Sequence, residues 1–289
     1  MDNLLKQDLR SQMQFEARAR LATKMYAYTL REQTSEATKK SADCVGPTKF
    51  KMQEGQYAFP YHHLVRFESF ENARVLSWGI EYYGYMKTVL EIIRSLEWRS
   101  LLDLGCGDGK MIYELAPENV GRRLLGFDLS EKAILFAKAF NYGNGAEFSI
   151  SSGTDITETF DVISVIETLE HISDEETPQV ITTIKRLLRH GGHLVVSVPA
   201  ATIPVHTKHY RHYTINLLKK TLSDFECTRV IYRIKAGWPY HFLVRLSAKL
   251  PTIRLVRQLV LFLAERFLFP ANEATGRHII SVWQKRQTL

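Results

Sequence analysis

The sequence predicts an α/β fold built on a doubly wound, mostly parallel sheet. Three observations carry that prediction. An apolar run, Ser100 to Leu104, reads as a buried strand with one acid, Asp103, and ends in Gly105-x-Gly107-x-Gly109. A helical pattern follows at once, with apolar Met111, Ile112 and Leu115. Strand and helix patterns then alternate to about residue 235, as layered α/β domains require.

Taken in order, residues 1–40 contain neither Gly nor Pro, and Leu5, Leu9, Met13, Leu21, Met25 and Tyr28 recur near helical spacing. A helical N-terminal arm is expected there. Gly46-Pro47, Gly55 and Pro60 punctuate a loop, and 78–93 reads as a helix leading into the first strand. Residues 1–97 form this arm and lead-in, and 98–289 form the main domain. Strands are expected near 100–104, 123–127, 146–150, 160–166, 193–198 and 227–235. Helices are expected near 110–115, 130–140, 174–189 and 214–222. Ser130 is an N-cap type, Thr214 starts the next helix, and Gly191-Gly192 is a stop signal for the helix before the fifth strand. His278 to Trp283 reads as a last strand.

A strand, a glycine-rich turn and a helix make a nucleotide pocket at the carboxyl edge of such a sheet. Glycine lets backbone approach ligand where a Cβ would collide. Spacing narrows the ligand. A phosphate-cradling loop needs GxxxxGK followed by Ser or Thr, but Met111 follows Gly109-Lys110. A dinucleotide fingerprint needs GxGxxG, but Lys110 stands at its third glycine. What remains is DxGxGxG, whose acid suits a cationic ligand. Asp128 ends the next apolar run, where a carboxylate accepts from ribose hydroxyls.

With Leu101–Gly109, Gly126-Phe-Asp128 and Phe160-Asp-Val-Ile163 in order, the chain resembles the class I S-adenosylmethionine-dependent methyltransferases. The resemblance implies a Rossmann-like seven-stranded methyltransferase sheet whose last strand is antiparallel. It implies S-adenosyl-L-methionine as donor, bound by Asp103, Gly105, Cys106, Gly107, Gly109, Asp128, Leu129 and Ile166. In that family the last strand follows the sixth in a hairpin. Here residues 236–277 intervene, far more than a hairpin turn needs. They are expected to form a helical cap over substrate, completed by the N-terminal arm.

After the fourth strand comes Glu167-Thr-Leu-Glu170-His171. In a helical turn these three side chains share one face. Crowded carboxylates need a cation, a proton or solvent, and carboxylate with imidazole suits Mg, Mn or Zn. After the fifth strand, His206, His209 and His212 fall within seven residues. His171, His209 and His212 are the candidates for handling an acceptor proton, with His206 beside them. The ExxEH run resembles the ubiquinone-biosynthesis O-methyltransferases and their relatives acting on small molecules and envelope glycans. That resemblance implies a divalent metal such as Mg on Glu167, Glu170 and His171. The run with paired histidines also resembles RNA 3′-terminal 2′-O-methyltransferases, but the Phe-Glu-Trp-Thr run of that family is absent. A cofactor-binding protein without turnover is the third alternative.

Composition sets the outer bounds. A net charge of +7 and a pI near 9.2 favour anionic partners. Cys44, Cys106 and Cys227 lie far apart, which argues against a disulfide framework and for a reducing compartment. No apolar run approaches the ~20 residues that span a bilayer, and the N-terminus lacks a signal-like apolar core. A cytoplasmic protein is expected. Residues 240–269 mix apolar positions with Arg245, Lys249, Arg254, Arg257 and Arg266 against Glu265. A cap helix packed on the core is the expectation, and peripheral contact with anionic membrane is its alternative. The expected acceptor is a small molecule, lipid or glycan precursor.

Overall fold

The computed structural model describes residues 48–64, 76–242 and 254–285. The expected helical arm over 1–40 lies outside these residues. The expected alternation is present: β1 Ser100–Leu104, α3 Lys110–Leu115, β2 Arg123–Asp128, α4 Glu131–Phe140, β3 Glu147–Ile150, β4 Phe160–Ile166, α5 Thr177–Leu187, β5 Leu188–Pro199, α6 Ile215–Thr221 and β6 Phe225–Lys235. Before them lie α1 Thr48–Glu54, a short 3-10 turn Tyr61–Leu64, and α2 Leu76–Ser95. After them come α7 Arg254–Leu263, the two-residue β7 Pro270–Ala271, and β8 Gly276–Lys285.

The strands form one sheet in the order β3-β2-β1-β4-β5-β8-β6-β7. β1 to β5 pair in parallel, and β8 runs antiparallel to both neighbours. Among the described residues the sheet thus has eight strands rather than seven, because β7 adds two residues to the β6 edge. Strand order reverses between β1 and β4, which is where a doubly wound sheet opens a crevice.

Pleating explains the two cores. Leu101 and Leu102 are adjacent and fully buried, yet each enters a different apolar cluster. The first joins Leu101, Val162, Val195 and Ile280 to α2, α3 and α4. The second joins Leu102, Ile163, Val196 and Ile279 to α5 and α6. The caps follow the sequence. Ser130 Oγ accepts from the Ala133 N–H and Thr214 Oγ1 from the Leu217 N–H, each at 3.1 Å.

One boundary differs. The helix expected over 174–189 ends at Leu187, and β5 begins at Leu188, ahead of the glycines. Leu188 already pairs with Phe160, and the extra residues before His193 are taken up as an irregularity in the β4–β5 register. Gly191-Gly192 marks that irregularity, not the helix end.

The connection from β6 to β8 packs its helical part on α2. Val260, Ala264 and Leu268 enter the first core, and Lys87 of α2 pairs with Glu265 at 2.6 Å. The described helical residues 254–268 thus pack on the core, and their outward positions Leu259 and Phe262 stay exposed. Residues 243–253 of the expected cap lie outside the described set. Among the described residues of 236–277, Arg277 lines the main cavity, whose roof comes from residues 50–62 and 203–212.

Candidate active site

The glycine turn begins where β1 ends. Gly105 and Gly107 adopt φ of 74° and 53°, the left-handed region that costs glycine little. A Cβ on Gly105 would sit 2.5 Å from Thr168 Oγ1, and one on Gly107 would sit 2.7 Å from Tyr57 Oη. Loop and surroundings are therefore fitted to bare backbone. The turn is anchored to β2, since the Gly107 N–H donates to Asp128 Oδ2 at 3.0 Å and the Ser130 N–H to Oδ1 at 2.9 Å.

Asp103 is 3% exposed and accepts from Ser164 Oγ at 2.8 Å. Burial pushes its carboxyl up to about 7, with the neighbouring Asp128 charge adding to the effect. Burial likewise raises Asp128. A pair of acids in this state is prepared for a positive ligand group, which would draw both toward ionisation.

A cavity of about 920 Å³ begins at this turn. Asp103, Gly105, Cys106, Gly107, Asp128, Leu129 and Ile166 all line it. Gly109 does not. It caps α3 with φ of 73°, and a Cβ there would meet Asn141 and Ala137. The far end of the same cavity carries Glu167, Glu170, His171, His206, His209 and His212. Glycine turn and Glu/His cluster thus share one space.

The structure regroups the predicted ligand set. Glu167 does not start a helical turn with Glu170 and His171, because its φ is 50° and the 3-10 turn covers only Leu169–His171. Its N–H donates to the Ser197 carbonyl at 2.8 Å, and Oε1 accepts from Ser197 Oγ at 2.5 Å. Its other oxygen lies 3.1 Å from His278 Nδ1. The donor atoms that do converge belong to Glu170, His171 and His209, all within 4.8 Å of one another.

The loop after β5 is stitched onto that turn. The Tyr210 N–H donates to the Glu170 carbonyl at 2.7 Å, and Tyr213 Oη to the Leu169 carbonyl at 3.3 Å. His212 Nδ1 lies 3.0 Å from the Ile203 carbonyl, which can only accept, so Nδ1 carries the proton. In the neutral ring Nε2 then accepts from His209 Nδ1, 2.8 Å away. That leaves His209 Nε2 with a free lone pair. Burial and neighbouring imidazoles hold His209 down to about 3, and burial holds His171 down to about 4. Both rings are neutral donors at physiological pH. Glu170, 1% exposed, is raised well above the carboxylate range by burial and by Glu167.

Sequence reasoning missed the roof and the far wall. His62 Nδ1 lies 2.9 Å from Asp108 Oδ1, the His62 N–H donates to Oδ2 at 3.1 Å, and His63 Nε2–H donates to the Asp108 carbonyl at 2.9 Å. At the other end Lys49 Nζ donates to the His209 carbonyl at 2.6 Å. Asp108 stood inside the glycine motif, and its position between two glycines was the available signal. Glu81 and His278 had none, since they lie nearly two hundred positions apart in sequence and meet only through α2 and β8.

Sheet order, a glycine turn at the switch point and paired acids define a nucleotide-binding α/β domain of the methyltransferase type. The methyltransferase domain family matches residues 52–240, and the chain belongs to that family. It is 30% identical over 142 residues to a ubiquinone biosynthesis O-methyltransferase of Thiobacillus denitrificans, covering 45% of this chain and 58% of that one. To the protein of the same name in Rhizobium rhizogenes it is 28% identical over 171 residues, covering 56% and 66%. The chain spans about half the length of the curated relatives it matches. Among solved structures, the N-methyltransferase NodS of Bradyrhizobium japonicum in complex with S-adenosyl-L-homocysteine aligns with a TM-score of 0.55 at 14% identity, covering 83% of this chain and all of that one. The [4+2]-cyclase SpnF aligns with a TM-score of 0.51 at 17% identity, covering 72% and 83%. These two share the fold.

Proposed function

We propose that the chain is an S-adenosylmethionine-dependent O-methyltransferase acting on a hydroxyl of a small-molecule, lipid or glycan acceptor. One observation carries the reading: a single cavity runs from the glycine turn to Glu170, His171 and His209. The names of the curated relatives agree with it.

In this reading Asp103 takes the ammonium of the methionine moiety and Asp128 the ribose hydroxyls. The roof residues Tyr57 and Tyr61 exclude water from the donor. The methyl group is already activated as a sulfonium, so alignment of acceptor, methyl and sulfur supplies most of the rate. The remaining task is the acceptor proton. His209 offers a lone pair at Nε2, held in that tautomer by His212, and His171 stands beside it with ring centroids 4.7 Å apart.

The donor set suits a divalent metal. Glu170 Oε2 and His171 Nδ1 are buried without hydrogen-bond partners, and His209 is neutral. Glu170, His171 and His209 would hold it, and a bound cation, occupying the His209 lone pair, would lower the acceptor hydroxyl pKa in place of the histidine base.

The test is calorimetric titration with S-adenosylmethionine, followed by transfer of tritiated methyl to catechol and to a panel of phenols and alcohols. Binding with transfer to oxygen supports the reading. Binding without transfer to any hydroxyl would overturn it. Elemental analysis and turnover in EDTA decide the metal separately.

A further inference from the structure

We propose that His278 is a positioning residue of the acceptor end of the cavity: it bridges Glu81 of α2 to Glu167 and thereby fixes the turn that carries Glu170 and His171. The geometry is specific. His278, the third residue of β8, pairs opposite Pro199, the last residue of β5, and is 4% exposed. Its Nε2 lies 2.9 Å from Glu81 Oε1 and its Nδ1 3.1 Å from Glu167 Oε2. Nε2 makes the hydrogen bond, to Glu81, while Nδ1 faces the Glu167 carboxylate at ion-pair distance without a hydrogen bond, so the ring joins the two carboxylates as a cation between them.

Each end of the bridge is held in turn. Glu81 Oε1 also accepts from Arg277 Nε at 2.8 Å, and Oε2 accepts from Tyr240 Oη at 2.7 Å. Glu167 is fastened to Ser197 through backbone and side chain. It is also one of two described non-glycine residues at positive φ, a conformation that persists only where surroundings over-determine it. Helix α2 and strands β5 and β8 therefore converge on a residue three positions before Glu170. Without the bridge, the Glu167 carboxylate would be left partly buried beside Glu170 with no cation against it. The turn would then be free to swing. His278 acts through Glu167, so its effect falls on the acceptor end and spares the glycine turn.

The proposal rests on the methyl-transfer reading for its kinetic readout alone. The experiment compares wild type, His278→Gln, Glu81→Gln and the double variant of the full chain. Histidine ring nuclear magnetic resonance reports His171 and His209, calorimetry reports S-adenosylmethionine affinity, and tritium transfer to catechol reports turnover. In His278→Gln the His171 and His209 signals shift, turnover at saturating donor falls at least about tenfold, and donor affinity stays within about twofold. Glu81→Gln shifts the same signals in the same direction, and the double variant is no worse than His278→Gln alone. Unchanged ring signals in His278→Gln would overturn the proposal, as would independent, multiplicative effects of the two substitutions. Should His278→Gln fail to fold, Glu81→Gln carries the same resonance test with β8 intact. If the wild type methylates no hydroxyl, the functional reading fails, while the ring signals still decide the bridge.

Discussion

His62 and Asp108 join the roof of the cavity to its floor. The imidazole and the backbone N–H of His62 both meet the fully buried carboxylate of Asp108, which sits inside the glycine turn. Burial opposes its charge, but His62 and His63 outweigh burial and hold Asp108 below the usual carboxylate range.

Asp108→Asn should therefore loosen the roof without unfolding the sheet. A hydrogen bond to a charged group contributes about 1.5–3 kcal/mol, so donor affinity should weaken by roughly ten- to hundredfold. Calorimetry against S-adenosylmethionine, with circular dichroism to check the fold, would measure it. Unaltered affinity would mean that the roof does not seal the donor.

Acid should open the neighbouring contact of His63 with the Asp108 carbonyl. His63 stacks on Phe140 at 3.9 Å and is buried, and burial lowers its pKa from 6.5 to about 3. The opened form takes up a proton that the closed form resists. Stability conferred by His63 is thus complete above pH 6.5 and is lost as pH falls toward 3. Asp108, being lowered, adds loss in the same direction at still lower pH. Thermal melts across this range should show a falling midpoint, and His63→Phe should flatten the upper part of the curve.

Donor binding should carry its own proton. Asp103 in the unliganded protein ionises only near pH 7. A cationic ligand binds the ionised form, so affinity should rise with pH up to about 7, by at most about tenfold per unit for one proton. Calorimetry in buffers of different ionisation enthalpy would detect the released proton. Asp103→Asn should weaken binding and abolish the slope. A slope that survives the substitution would assign the proton elsewhere.

Gly105→Ala tests the fit of the turn. The added Cβ meets Thr168 at a backbone φ of 74°, so the loss should be about 1–3 kcal/mol or more. Adding Thr168→Ala should recover the steric part and leave the conformational part. Full recovery by Thr168→Ala would show that φ is not the cost.

The sheet was legible because both signals that build it are local. Apolar runs such as Leu101–Leu104 and caps such as Ser130 act within a few residues, and each reappears in the structure. The glycine turn was legible for the same reason, since its glycines and Asp103 fall within seven residues. The acceptor end was legible in residue type but not in grouping. Glu167 was read into a helical turn by spacing, whereas Ser197 and His278, from β5 and β8, draw it away. His209 took its place through a loop whose hydrogen bonds to Glu170 and Leu169 span about forty residues. Pairings between distant strands and helices leave no periodic trace, so Glu81 with His278 could only be seen in the folded chain.

The roof has a kinetic corollary. It is pinned to Asp108 at one end and, through Lys49, to the His209 carbonyl at the other, and Tyr57 lies directly on Gly107. On the proposed methyl-transfer reading, a donor on the glycine turn lies beneath the 50–62 part of the roof, while His206, His209 and His212 belong to its 203–212 part. On that reading, exchange of the spent nucleoside would need both pins to release, and exchange of acceptor only the Lys49 contact. The asymmetry then predicts compulsory order, with the donor binding first and the demethylated nucleoside leaving last, which product-inhibition kinetics would check.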